Sequence, residues 1–123
     1  MSFFALAGAV LAFGAGVAHS YLGERYIIVR LFRRADLPTL FGSDLFTRRT
    51  IRFAWHVTSI AWWGLGAVLV LAGGGASARA VGLALAVTFG LTATTILAGS
   101  RGRHYAWIVF TVIAACAWLA TRS

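Results

Sequence analysis

A chain of 123 residues that is 60% hydrophobic and 11% charged lacks the polar surface of a soluble domain, where about 25% of residues are charged. Its mean hydropathy of +0.84 marks it as an integral membrane protein and leaves no room for a separate soluble catalytic domain. The net charge is +8 and every basic residue is an arginine. In a soluble chain that balance would suggest nucleic acid, but these arginines flank apolar runs. They act as a topology signal, and nucleic acid is excluded as a partner. All-arginine usage with abundant alanine and glycine suggests a bacterial source. The single cysteine, Cys116, lies in an apolar run; it rules out an intramolecular disulfide or a CxxC site and reads as a small hydrophobe.

The first apolar run, Phe3–Leu22, resembles a signal-peptide core, with small residues at Gly16 and Ala18. No basic residue precedes it, so it is expected to be retained as a span. The following stretch, GERYIIVRLFRR (23–34), places Ile27, Ile28, Leu31 and Phe32 on one helical face and Arg30, Arg33 and Arg34 elsewhere. That pattern predicts an amphipathic elbow lying among the headgroups, ended by Asp36 and Pro38. Ser43 or Asp44 can cap the next helix, which is expected to run from about Asp44 to Ala72, with its apolar part at 53–72. The Gly-rich turn GGGASARA (73–80) leads to a third run at 80–98. The turn GSRGR (99–103) leads to a fourth at 105–121, short but within spanning length.

Lipid forces each run to pair its backbone internally, so helices are expected. Short turns make consecutive helices antiparallel neighbours. The fold class is therefore all-α: a single four-transmembrane-helix domain, an up-down bundle with a cytoplasmic elbow in loop 23–50. Gly8, Ala12 and Gly16 form a small-residue stripe suited to close helix packing, as do Gly82, Ala86 and Gly90. Thr88, Thr92 and Thr95 share another face of the third helix, where their hydroxyls either bond their own helix or line a polar path.

Nine arginines (25, 30, 33, 34, 48, 49, 52, 101 and 103) fall on one side of this topology and two (79 and 122) on the other. The positive-inside rule makes the nine-arginine side cytoplasmic and both termini periplasmic, in a bacterial inner membrane. Arg25, Arg30, Arg33, Arg34, Arg48 and Arg49 are expected to meet anionic headgroups, as are Arg52, Arg101 and Arg103 where they do not meet a cofactor.

His19, His56 and His104 fall near the cytoplasmic ends of three different helices. Together, with Glu24 as a fourth ligand or a partner behind one of them, they are candidates to bind a transition metal. Two of them are candidates to hold a haem whose propionates meet Arg52, Arg101 or Arg103. The competing reading makes each histidine an interfacial anchor beside Trp55, Tyr105 and Trp107. Trp62 and Trp63 lie about two turns deeper than Trp55 and are expected to pack against helices. The three carboxylates Glu24, Asp36 and Asp44 sit in or beside one loop, and no paired-carboxylate, nucleophile or phosphate-loop constellation appears. The chain is thus expected to be a non-enzymatic accessory or assembly subunit of a larger membrane complex, partnered by other subunits or by copies of itself. A haem or metal redox or sensor protein and a small oligomeric channel or transporter are the alternatives.

Overall fold

The computed structural model describes residues 2–122. Four helices account for most of them: α1 (Phe3–Leu31), α2 (Leu45–Gly73), α3 (Ala78–Ser100) and α4 (Ala106–Leu119). Among the described residues there is no strand, only an isolated bridge between Leu40 and Ser43. The first three helices are long and apolar enough to cross a membrane. The fourth has 14 residues, about 21 Å of helix, against a hydrocarbon core of about 30 Å.

Local chemistry sets the ends. Asp44 precedes α2 as anticipated. Ser77 caps α3, its hydroxyl accepting from the Ala80 N–H at 3.3 Å. Gly75, at φ 71°, turns the chain between α2 and α3 in a conformation that glycine adopts freely. Helix α3 ends on Arg101 in the left-handed region, with Gly102 N–H bonded to the Leu97 carbonyl at 2.9 Å.

The elbow takes a different form from the one expected. The chain continues as helix from Phe3 to Leu31, and Gly23–Ile28 forms a π-helical turn within it. A π turn widens the hydrogen-bond spacing, as in the Val29 N–H to Glu24 carbonyl bond. The anticipated apolar face is consequently split. Ile28 is fully buried and Leu31 and Phe32 are half-buried, whereas Ile27 is 49% exposed.

Consecutive helices pack antiparallel through small residues. Along α1 and α2, Gly8 meets Leu69, Gly16 meets Trp63 and Gly23 meets Trp55. Between α2 and α3, Gly64 meets Thr88 and Gly99 meets Phe53. Between α3 and α4, Gly82 meets Thr121. The small-residue stripes are thus seams, although Gly90 faces open space. Only consecutive helices pack closely; α1 makes no close backbone approach to α3 or α4. The four helices therefore form an open row, not a closed bundle. The cause lies in α1, whose one small-residue stripe is occupied by α2. Its other faces carry large side chains such as Phe4, Val10 and Leu11, all well exposed.

A Cβ added at Gly16 would collide with the Trp63 indole, while one at Gly14 would meet nothing within 4 Å. Overpacking of this kind costs about 1–3 kcal/mol. Gly16→Ala is expected to lower the thermal midpoint in detergent, followed by tryptophan fluorescence. Gly14→Ala should hold or raise it, since alanine is the better helix former.

Candidate functional site

The α1–α2 seam is held by tryptophans. Trp55 Nε1 donates to the His19 carbonyl at 2.9 Å, and Trp63 Nε1 donates to the Phe13 carbonyl at 3.1 Å. An indole N–H against apolar surroundings favours an acceptor, and here each finds one on the neighbouring helix backbone. Trp55 also stacks flat on the His19 ring, with centroids 4.5 Å apart, and Trp62 packs on the same ring at 4.9 Å. Trp62 and Trp63 contact helix α1, as their depth implied. Trp55 does so too, through its bond to the His19 carbonyl and its stack on the His19 ring.

One step toward the arginine-rich end, a polar chain crosses the same seam. Ser20 Oγ and Ser59 Oγ are 2.8 Å apart, and Ser20 Oγ lies 3.0 Å from His56 Nδ1. His56 Nε2 lies 3.3 Å from Glu24 Oε2, and Arg52 donates to the other Glu24 oxygen at 2.9 Å. Glu24 sits within the π turn, a helix irregularity that recurs at functional sites. The partners follow simple spacing: Ser20 and Glu24 are four apart on α1, and Arg52, His56 and Ser59 are four and three apart on α2. Antiparallel packing lays the two sets side by side. That spacing was the available signal for the Ser20–His56 link, which the adjacency of His19 and Ser20 obscured.

Chemically, hydrogen-bond contacts link Glu24 to His56 and His56 to Ser20. Their order matches nucleophile, base and carboxylate. However, Ser20 Oγ is shared with Ser59, and the cavity at this end is lined by His56 and not by either serine.

The three histidines do not converge. Among the described residues no three of His, Cys, Asp and Glu are grouped as metal ligands would be. His19 lies against Trp55 and Trp62, and His104 lies against Phe46 at 5.9 Å and Phe53 at 5.2 Å. Residues 55 and 62 share one face of α2, while 46 and 53 share the roughly opposite face. Similar depth therefore did not bring these rings together, because α2 stands between them. His104 Nδ1 instead accepts from the Ala106 N–H at 3.4 Å at the start of α4. His56 and Glu24 are the only pair of the proposed ligand set in contact, and Arg52 is bound to Glu24.

The threonine face is largely self-satisfied. Thr88 and Thr92 donate to the Ala84 and Thr88 carbonyls, at 2.7 Å and 2.9 Å.

The remaining arginines divide by partner. Arg25 and Arg30 lie over the Tyr26 ring, Arg33 is exposed, and Arg34 forms a two-pronged pair with Asp36 at 2.6 and 2.8 Å. Arg48 clasps the loop between α1 and α2. It pairs with Asp44 and donates to the carbonyls of Phe32 and Arg34. The Arg34 and Arg48 guanidiniums hold the Asp36 and Asp44 carboxyls below the ordinary carboxylate range.

No protein-family model, curated protein or solved structure matches the chain, so its function is argued from this geometry. Two outcomes test it. In a double-mutant cycle, Glu24→Gln and Arg52→Gln should show a coupling of about 0.5–1 kcal/mol in unfolding free energy, modest because both groups are partly hydrated. Amide exchange should test the clasp. A carboxyl whose folded pKa is depressed contributes above its unfolded pKa and loses that contribution as pH falls through the folded value. Protection of residues 32–44, corrected for intrinsic rates, should therefore fall on acidification, and Arg48→Ala should reduce that pH dependence to the part that Arg34 and Asp36 supply.

Proposed function

We propose that this chain is an accessory or assembly subunit of a larger complex in a bacterial inner membrane, embedded by four spans with its arginine-rich end cytoplasmic and both termini periplasmic. The observation that carries this reading is the open row. Each helix packs only on its sequence neighbours, and among the described residues only five apolar side chains (Ala5, Ile28, Phe53, Ala93 and Ile96) are buried. Both faces of the row are left for other proteins or lipid, and the outer helices α1 and α4 each present an unpaired flank. Three helices of spanning length and the nine-to-two division of arginines support the membrane placement. The short α4 completes a fourth crossing if its flanking residues and local thinning of the bilayer make up the length.

The loop adds a docking feature. Leu40 and Ser43 exchange backbone hydrogen bonds across a two-residue turn made by Phe41 and Gly42, both at positive φ, 56° and 83°. Such a turn favours Asn-Gly or Gly-Gly. Phe41 instead holds an aromatic ring at the tip, 82% exposed and edge-on to Phe46 at 5.4 Å. A large apolar ring in a conformation disfavoured for its type is what a contact anchor looks like before it is covered.

Extraction from native membranes into nanodiscs without detergent, followed by mass determination, should yield an assembly well above the chain's 13.1 kDa with a fixed stoichiometry. Phe41→Ser should dissociate it while leaving the helical content unchanged. A single copy of the chain, alone in its disc, would end the proposal.

A further inference from the structure

A cavity of about 710 Å³ opens at the arginine-rich end, between the loop after α1 and the facing parts of α2 and α3. Its wall has two kinds of chemistry. Arg48, Arg49, Arg52 and Arg101 line one part, and Phe53 and Ala98 lie among its apolar lining.

The charges do not balance within the chain. Of its three carboxylates, Glu24 binds Arg52 and His56, Asp36 binds Arg34 and Asp44 binds Arg48. None is left for Arg49 or Arg101, and Arg103 adds a third cation near enough to repel Arg49. Like charges gathered beside an apolar wall repel one another and favour an anion from outside.

Backbone conformation adds a separate argument. Arg101 ends α3 at φ 52°, a left-handed position that glycine normally fills. An L-residue there is strained, because its Cβ crowds the carbonyl oxygen that follows. The sequence places glycine immediately after it, at 102, and keeps arginine at the strained position, with its side chain lining the cavity.

We propose that this cavity binds one phosphate-bearing lipid, its headgroup held by Arg49 and Arg101 and its chains lying along Phe53 and Ala98 between α2 and α3. The guanidinium fork matches phosphate oxygens in pairs. The apolar wall continuous with the helix faces favours a lipid over a free anion. This inference stands independently of the accessory-subunit reading, since it concerns a site within a single copy of the chain.

The test uses full-length protein in lipid-free detergent, titrated with phosphatidylglycerol and separately with inorganic phosphate, and read by native mass spectrometry and thermal midpoint. Phosphatidylglycerol should bind one per chain and raise the midpoint. Arg49→Gln and Arg101→Gly should each weaken that binding about tenfold or more, the loss of one charged hydrogen-bonded partner. Arg101→Gly should also be at least as stable as the parent before lipid is added, because glycine relieves the left-handed strain; this separates lost binding from lost folding. Arg79→Gln removes the same charge at the other end and should leave the affinity unchanged. Equal affinity in the parent, Arg49→Gln and Arg101→Gly would overturn the proposal. So would an equal loss in Arg79→Gln, which would reduce the effect to net charge. Inorganic phosphate binding as tightly as the lipid would overturn the lipid assignment.

Discussion

The seam between α1 and α2 sets the geometry of the arginine-rich half of the molecule. Two indole N–H groups reach across it to helix carbonyls, at His19 and Phe13. They can do so because glycines at 16 and 23 remove the side chains that would hold the helices apart. In an apolar surrounding an unsatisfied N–H is costly, so each indole fixes both the spacing and the axial register of the pair. That register aligns Ser20 and Glu24 with Ser59, His56 and Arg52. A shift of one turn would move each of these groups about 5.4 Å and break the polar chain as a unit. Packing of small against large therefore comes first, and the polar network is placed by it.

The charge arrangement follows a similar economy. With only three carboxylates for eleven arginines, each acid has a specific task. Glu24 joins α1 to α2, Asp44 anchors the clasp through Arg48, and Asp36 holds Arg34 where the loop leaves α1. These are local bridges, all at one end. Arg49, Arg101 and Arg103 remain as a positive cluster facing the region where α2, α3 and α4 begin or end. A chain that needed charge only for orientation could have placed these arginines apart on separate loops. Here α2 and the α3–α4 turn bring them together.

Much of the fold could be read from residue patterns because those patterns are local. Apolar runs located the helices, Asp44 marked the start of α2, and the Gly8–Ala12–Gly16 stripe identified the face that α2 covers. The depth of Trp62 and Trp63 showed that they pack against protein. Three features were not local and could not be read in this way. The π turn at Gly23–Ile28 shifts the register by an inserted residue, and GERYII contains no residue type that demands it. The open row depends on which faces are already occupied, so short turns alone could not distinguish it from a closed bundle. Histidine convergence was inferred from depth, but depth is one coordinate of three. His19 and His104 pack on opposite faces of α2, and the contact that did form, His56 with Glu24 and Ser20, depended on helix rotation.

Where local preference and structure disagree, the disagreements cluster. Among the described residues, two other than glycine occupy left-handed backbone, Phe41 and Arg101, and the π turn is a third departure. Elsewhere α3 is capped by Ser77, and α2, α3 and α4 pack through small residues. Natural sequences tend to break local rules at functional positions and to compensate elsewhere. The compensation is visible here: Gly42 and Gly102 follow Phe41 and Arg101 directly and take the second left-handed position of each turn, so each turn strains one residue and not two. Glycine at 41 and 101 would satisfy the backbone better in both cases. What it would remove is an exposed aromatic ring in one turn and a cavity-lining guanidinium in the other, and those side chains are the physical reason to accept the strain. All three departures lie at the arginine-rich end, and none lies in the apolar middle of the helices.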